Sequence, residues 1–192
     1  MRLSEIEIVG PQDFPKSMLE PWLEQSRPRG MIEDRFYVNY IEIGDERGII
    51  LTDDHNNIAA YAGFISVMHG KVWQAKNAIS FDPYKKQSLV GKIYKMVKEE
   101  YHQSVQSDIE QTTDARKLWT KTLPNLGLKP MIFDTKTDRI IDPIDSNISV
   151  YPNTEEKHRY CWILEAFDHY PSQNLLKEGS LIMPYKGIWY KG

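Results

Sequence analysis

The sequence predicts an α/β protein: a mixed, mostly antiparallel sheet with one splayed parallel strand pair and flanking helices, followed by a C-terminal extension. Three observations predict it. Two apolar runs in "GIILTDDHNNIAAYAGFISVMHG" flank a polar turn of hairpin type, and "KVWQAKNAISFD" follows as a third strand. Leu89, Val90, Ile93, Met96 and Val97 then recur at three and four residues, with Lys92, Lys95, Lys98 and Glu99 on the outer face, the pattern of an amphipathic helix over about 88–101. The short strand "SVQSDI" comes next, so "AISFD" and "SVQSD" neighbour each other around a crossover helix, lie parallel, and part at their ends to leave a wedge.

The remaining elements follow in order. Residues 5–9, "EIEIV", alternate as a half-buried strand does, and "GPQDFP" stops them. In "KSMLEPWLEQS", Met18, Leu19, Trp22 and Leu23 fall at helical spacing, with Pro21 placed to kink or divide the helix and "RPRGM" to end it. The segment "IEDRFYVNYIEIGD" is read as a helix on the spacing of Ile32, Phe36 and Tyr40, although "FYVNYIEI" is also rich in strand formers. Past the central wedge, "TTDARKLWTKTL" is a helix capped by Thr112 or Thr113. Its buried stripe is Ala115, Leu118, Trp119 and Leu123, and Pro124 and Gly127 bound it. "LKPMIFDTKTDRIID" is a further hairpin, and "RYCWILEAF" a last strand after the turn-rich 143–158. The domain is taken as 1–142. An extension over 143–192 packs on it or on a partner, with Trp189 in the aromatic "GIWYKG" as the anchor.

A length of 192 residues suits one core. With 24 basic and 27 acidic residues the formal charge is −3, so no global field draws the chain to nucleic acid or an anionic membrane. One cysteine, Cys161, excludes an internal disulfide and a multi-cysteine zinc site, and in the apolar run "YCWIL" it reads as an inert core thiol. His55, His69, His102, His158 and His169 show no recognised ligand spacing, so no metal is expected. No apolar run is long enough to span a bilayer, and no leader is apparent; a cytoplasmic, reducing location is the expectation.

Two spellings resemble the GNAT fold, the N-acyltransferase family related to the histone acetyltransferases, over roughly Leu3 to Asp142. In "SFDPYKKQSLVG", Pro83, Lys86 and Gly91 match the family's strand-to-helix turn "V-x-P-x-x-[RQ]-x-x-G-x-[GA]", with Leu89 in place of the first glycine. In "TTDARKLWTKTLPNLGL", Ala115 matches a second motif, "N-x-x-A-x-x-x-Y-x-x-x-G-F", with Trp119 where that motif has tyrosine and Gly127-Leu128 reached after a slightly longer helix end. The combination "SDIEQT" and "ARKLW" is similar to GNAT-like proteins of tailed bacteriophages.

The resemblance implies an N-acyltransferase using acetyl-CoA and an amine acceptor. Amide groups at the start of a helix converge on an anion, which the helix dipole favours. Phe81, Pro83, Lys85, Lys86, Gln87, Ser88, Gly91 and Lys92 would form that coenzyme-binding turn. Leu89 either turns into the core or closes the phosphate pocket. Catalysis in such enzymes is mainly proximity, helped by a strand backbone group that polarises the carbonyl and by a base. Asp82, Asp108 and Glu110 are the candidate bases, with Asp82 and Asp108 expected on either side of the wedge; strand-end carboxylates also serve as helix caps, and Asp108 could cap the turn into "TTDARK". Trp119 cannot supply the proton that a tyrosine at its position would give to the leaving thiolate. Two other classes remain: a non-catalytic GNAT-like scaffold that binds a protein or nucleic acid, and a GNAT-like enzyme that modifies DNA bases.

Overall fold

The computed structural model describes residues 15–68, 70, 72–108, 112–145, 148–150 and 159–166. The strand expected over 5–9, Glu110, His69 and the tail around Trp189 lie outside the described residues. A 3-10 turn, Lys16–Met18, leads into α1 (Glu20–Gln25). Four antiparallel strands follow: β1 (Arg27–Ile32), β2 (Phe36–Ile43), β3 (Glu46–Thr52) and β4 (Ile58–Val67), then β5 (Val72–Ser80). A 3-10 turn, Lys85–Gln87, opens α2 (Leu89–Glu99), which crosses to β6 (Ser104–Gln106). Next come α3 (Thr113–Lys117), a π segment (Leu118–Thr122) and α4 (Leu123–Asn125), then β7 (Met131–Asp134), β8 (Arg139–Ile141) and β9 (Tyr160–Leu164). The sheet runs β1-β2-β3-β4-β5-β6-β9-β7-β8, and β5–β6 is its parallel pair. The general class expected, α/β on a mixed and mostly antiparallel sheet, is the observed one.

The segment expected to be helical around Phe36 is a strand, and "RPRGM" is the strand beside it. Glu33 and Asp34 turn the chain with φ of 55° and 49°, and Ile32 pairs with Phe36 across that turn. Phe36, Val38 and Tyr40 face the core while Tyr37 is exposed, a period of two. The spacing of Phe36 and Tyr40 fits a helix and a strand equally, and the β-branched and aromatic residues between them decide for the strand. Pro21 does not kink a continuous helix: it stands in the first turn of α1, where its missing N–H costs nothing, after a separate 3-10 turn. Pro124 likewise lies inside the end of its helix. The widened turn before it, with the Leu123 N–H reaching the Leu118 carbonyl, takes up the change in backbone pairing.

Both faces of the sheet are covered. On one, α2 places Leu89, Ile93, Tyr94 and Val97 against Val38, Ile49, Ala62, Phe64 and Trp73, and Trp119 and Leu123 close the layer from the α3–α4 side. Burial of each large apolar side chain there stabilises the fold by about 1.5–3 kcal/mol. On the other face, Leu19 and Trp22 cover Ile41, Ile50, Tyr61 and Phe81. From the segment read as a C-terminal extension, β9 enters the sheet between β6 and β7, where Cys161 and Ile163 pack on Phe133.

Candidate functional site

Two features lie along β5 and at its C-terminal end. The first is the turn into α2. The Phe81 N–H donates to the Ala59 carbonyl (2.9 Å) and its ring is buried with Leu19 and Trp22, so the chain leaves the sheet from a fixed point. Beyond a cis Asp82–Pro83 bond, the Tyr84 ring meets Phe36 edge-on at 5.7 Å, and its hydroxyl donates to Asp53 Oδ2 at 2.5 Å. Asp53 also accepts from the His55 N–H, the Asn57 N–H and Asn57 Nδ2. The Tyr84 hydrogen bond first, then those from Asn57, hold its carboxyl well below the usual carboxylate range. The turn is thereby tied to the β3–β4 loop, 31 residues away in sequence.

Ser88 then takes a left-handed conformation (φ 55°, ψ 28°), and its hydroxyl makes no capping bond to α2. The Lys92 N–H reaches the Ser88 carbonyl (3.0 Å), which leaves the N–H groups ahead of it as the unpaired donors of a helix start. Leu89, the departure from the family spelling, is fully buried in the main core; its side chain turns inward. Lys85 and Lys86 are exposed, and Lys85 pairs with Asp82 at 2.8 Å. Lys92 pairs with Glu33 at 2.7 Å, and Arg35 reaches Gln87 Oε1 at 3.4 Å, which adds a cation from the β1–β2 turn that no local pattern signals. Lys86 makes no ion pair among the described residues. Gly91 does a different job from the one the resemblance implies: a Cβ there would lie 2.7 Å from Leu126 Cδ1 and 3.1 Å from Thr122 Cγ2, so the bare Cα lets α2 pack against α4 and the π segment.

The second feature is the end of the β5–β6 ladder. Val72, Trp73 and Gln74 pair with Ser104, Val105 and Gln106, and then the ladder stops although β5 continues to Ser80. On the other side of β5 the register jumps, since Gly63 and Phe64 face Asn77 and Ala75, so Lys76 is bulged out of the ladder. Lys76 Nζ lies 3.5 Å from Asp108 Oδ2 just past the last pair, and both side chains are about one-fifth exposed, 23% and 18%. Burial pulls the Lys76 ammonium down in pKa, and Asp108 opposes that only in part.

No family model matches the chain, and no curated protein or solved structure matches it.

The two carboxylates expected to flank the wedge are not opposite each other. Extending the Gln74–Gln106 register puts Asp108 level with Lys76; Asp82 stands six residues further along the chain, on the order of 15–20 Å if extended. Asp82 is exposed and held by Lys85. Lys76 is the residue the sequence reading missed. Its signal was there in "WQAKN", where Gln74 and Lys76 interrupt what is otherwise the apolar pattern of an interior strand.

Other reactive groups are engaged elsewhere. Trp119 is a core ring, 5.6 Å from Tyr94, and burial raises the Tyr94 phenol far above its ordinary value. The Cys161 thiol is buried and pushed up to about 12. Asp53, Asp54 and His55 place potential ligand atoms within 4.8 Å of one another, but four hydrogen bonds already take up the oxygens of Asp53. Among the described residues no helix is long and apolar enough to cross a membrane.

Proposed function

We propose that this chain is a GNAT-like, acyl-CoA-dependent N-acyltransferase that moves an acyl group, acetyl in the simplest case, to an amine. One observation carries the reading: an uncapped helix start, with a lysine that makes no ion pair among the described residues, follows directly from the strand whose parallel ladder ends partway along it. The N–H groups at the start of α2 and the Lys86 ammonium would take the coenzyme's pyrophosphate, the inward turn of Leu89 leaving them clear of its side chain. Arg35 and Gln87 would line the same turn. The thioester would lie in the parting of β5 and β6. There Asp108, unlike the exposed Asp82, is set among partly buried groups, and it would receive the proton from the incoming amine.

Three motif positions favour the scaffold reading instead. Leu89, Gly91 and Trp119 all serve the core, as they would in a protein that kept the architecture and dropped the coenzyme. Calorimetric titration with acetyl-CoA separates the two. Saturable binding weakened about tenfold or more by Lys86→Ala, the loss of one charge-assisted phosphate contact, is expected for the enzyme. Absence of heat with acetyl-CoA and longer acyl-CoAs transfers the assignment to a scaffold for a protein or nucleic acid.

A further inference from the structure

Polar groups concentrate where β5 and β6 stop pairing. Gln74 and Gln106 form the last rung and both are buried; Gln74 Nε2 has no hydrogen-bond partner among the described residues. Lys76 and Asp108 come next, with Nζ and Oδ2 3.5 Å apart just past the last rung. An ion pair at such a depth is weak evidence of stabilisation, because the water removed from both charges offsets their attraction. Apolar side chains would fill an interior strand as well. A lysine with much of its surface out of water is, however, the usual form of a nucleophilic amine: burial disfavours its charged state, and a neighbouring carboxylate can take its proton.

We infer that Lys76 is itself an acyl acceptor, acylated on Nζ by the thioester held between β5 and β6. The inference rests on the acyl-CoA reading above. Asp108 removes one proton from the Lys76 ammonium and later releases it to water. The freed nitrogen lone pair attacks the thioester carbonyl carbon, a C–N bond forms, and the C–S bond breaks with its electron pair on sulfur. The coenzyme thiolate takes the second proton from the nitrogen and leaves as the thiol, so the products are an amide on Lys76 and free coenzyme. Lys76 holds a place on Asp108 that an external amine would need, and acylation would remove its charge from that carboxylate.

Incubation of the intact chain with acetyl-CoA, followed by peptide mass spectrometry, tests this. One acetyl group should accumulate on Lys76 ahead of the exposed Lys85 and Lys86, the reverse of the order solvent access alone would produce. Lys76→Arg, which keeps the charge, should abolish the product. Asp108→Asn should slow it about a hundredfold, the usual contribution of a positioned base. In urea the lead of Lys76 should disappear. Calorimetry on the same samples distinguishes the failures. Binding heat with Lys76 unmodified, or modified no faster than Lys85, overturns the inference and leaves coenzyme binding in place; no heat and no acetyl-Lys76 removes both.

Discussion

Gly91 occupies the position at which the resemblance puts a residue small enough for a phosphate to approach, yet the space beside it is filled by Leu126 and Thr122. Two substitutions separate the roles. Gly91→Ala gains up to about 1 kcal/mol in helix propensity. It also brings a methyl against the end of the half-buried Leu126 side chain, which can turn aside, so its stability should stay within about 1 kcal/mol of the original. Gly91→Val adds bulk toward Thr122, which is β-branched and stiff, and should cost about 1–3 kcal/mol in urea unfolding. Both should leave acetyl-CoA affinity unchanged if the packing role is the whole of it; a loss of affinity in the alanine variant at unchanged stability would return Gly91 to the phosphate site. Leu89 illustrates what a spelling can carry. A branched residue at the helix start left two outcomes open, and which one holds depended on whether Phe36, Ile93 and their neighbours leave a place for it, a matter of tertiary packing alone.

At the scale of elements, local patterns were legible where one face is buried and the period is unambiguous. The β3–β4 hairpin, β5, α2 and the Thr112 cap of α3 stand where the spacing predicts them; Thr112 Oγ1 accepts from the Ala115 N–H at 3.2 Å. The β1–β2 hairpin was not legible, because its buried residues repeat at an interval common to both periods. Nor was the insertion of β9 between β6 and β7, which depends on pairs such as Gln106 with Ile163 and Phe133 with Cys161, far apart in sequence. That insertion has a device of its own. Arg159, just ahead of β9, donates from Nε and Nη2 to Asp134 at the end of β7, at 3.1 and 2.8 Å. Burial alone would raise the Asp134 carboxyl, but Arg159, the Lys136 N–H and Thr137 together bring it down to about 2. In the unfolded chain the same group titrates near about 4, so the unfolded state binds its proton first as pH falls. The contribution is complete above about pH 5 and is lost progressively as pH drops through the folded value. Urea midpoints measured at pH 7 and pH 3 should therefore differ by less in Asp134→Asn than in the original chain. Equal differences would mean that the pair does not couple to folding.

For the molecule as a whole, the antiparallel meander into one parallel pair was readable because hairpin turns and a single crossover helix leave few topologies. The pairing of Lys76 with Asp108, 32 residues apart, was not, since no local pattern records which polar residue stands opposite which once a ladder ends. The same topology makes ligand binding readable in global stability. The turn at 83–88 is anchored to the β3–β4 loop through Tyr84 and Asp53 and to the core through Phe81 and Leu89, so a ligand held there binds the folded state and not the unfolded chain. At a hundredfold excess over the dissociation constant, such a ligand stabilises by about 2.7 kcal/mol. For a chain of this size that is a rise in Tm of roughly 5–10 °C. Acetyl-CoA should produce that shift in a thermal melt, and coenzyme A lacking the acyl group should produce most of it, because the phosphates carry the contact. Lys86→Ala should reduce both shifts at the same concentration, and Lys76→Arg should reduce neither. A shift that survives Lys86→Ala but vanishes in Lys76→Arg would place the ligand in the strand parting without the turn, and the pyrophosphate assignment would fall while the parting remained the binding site.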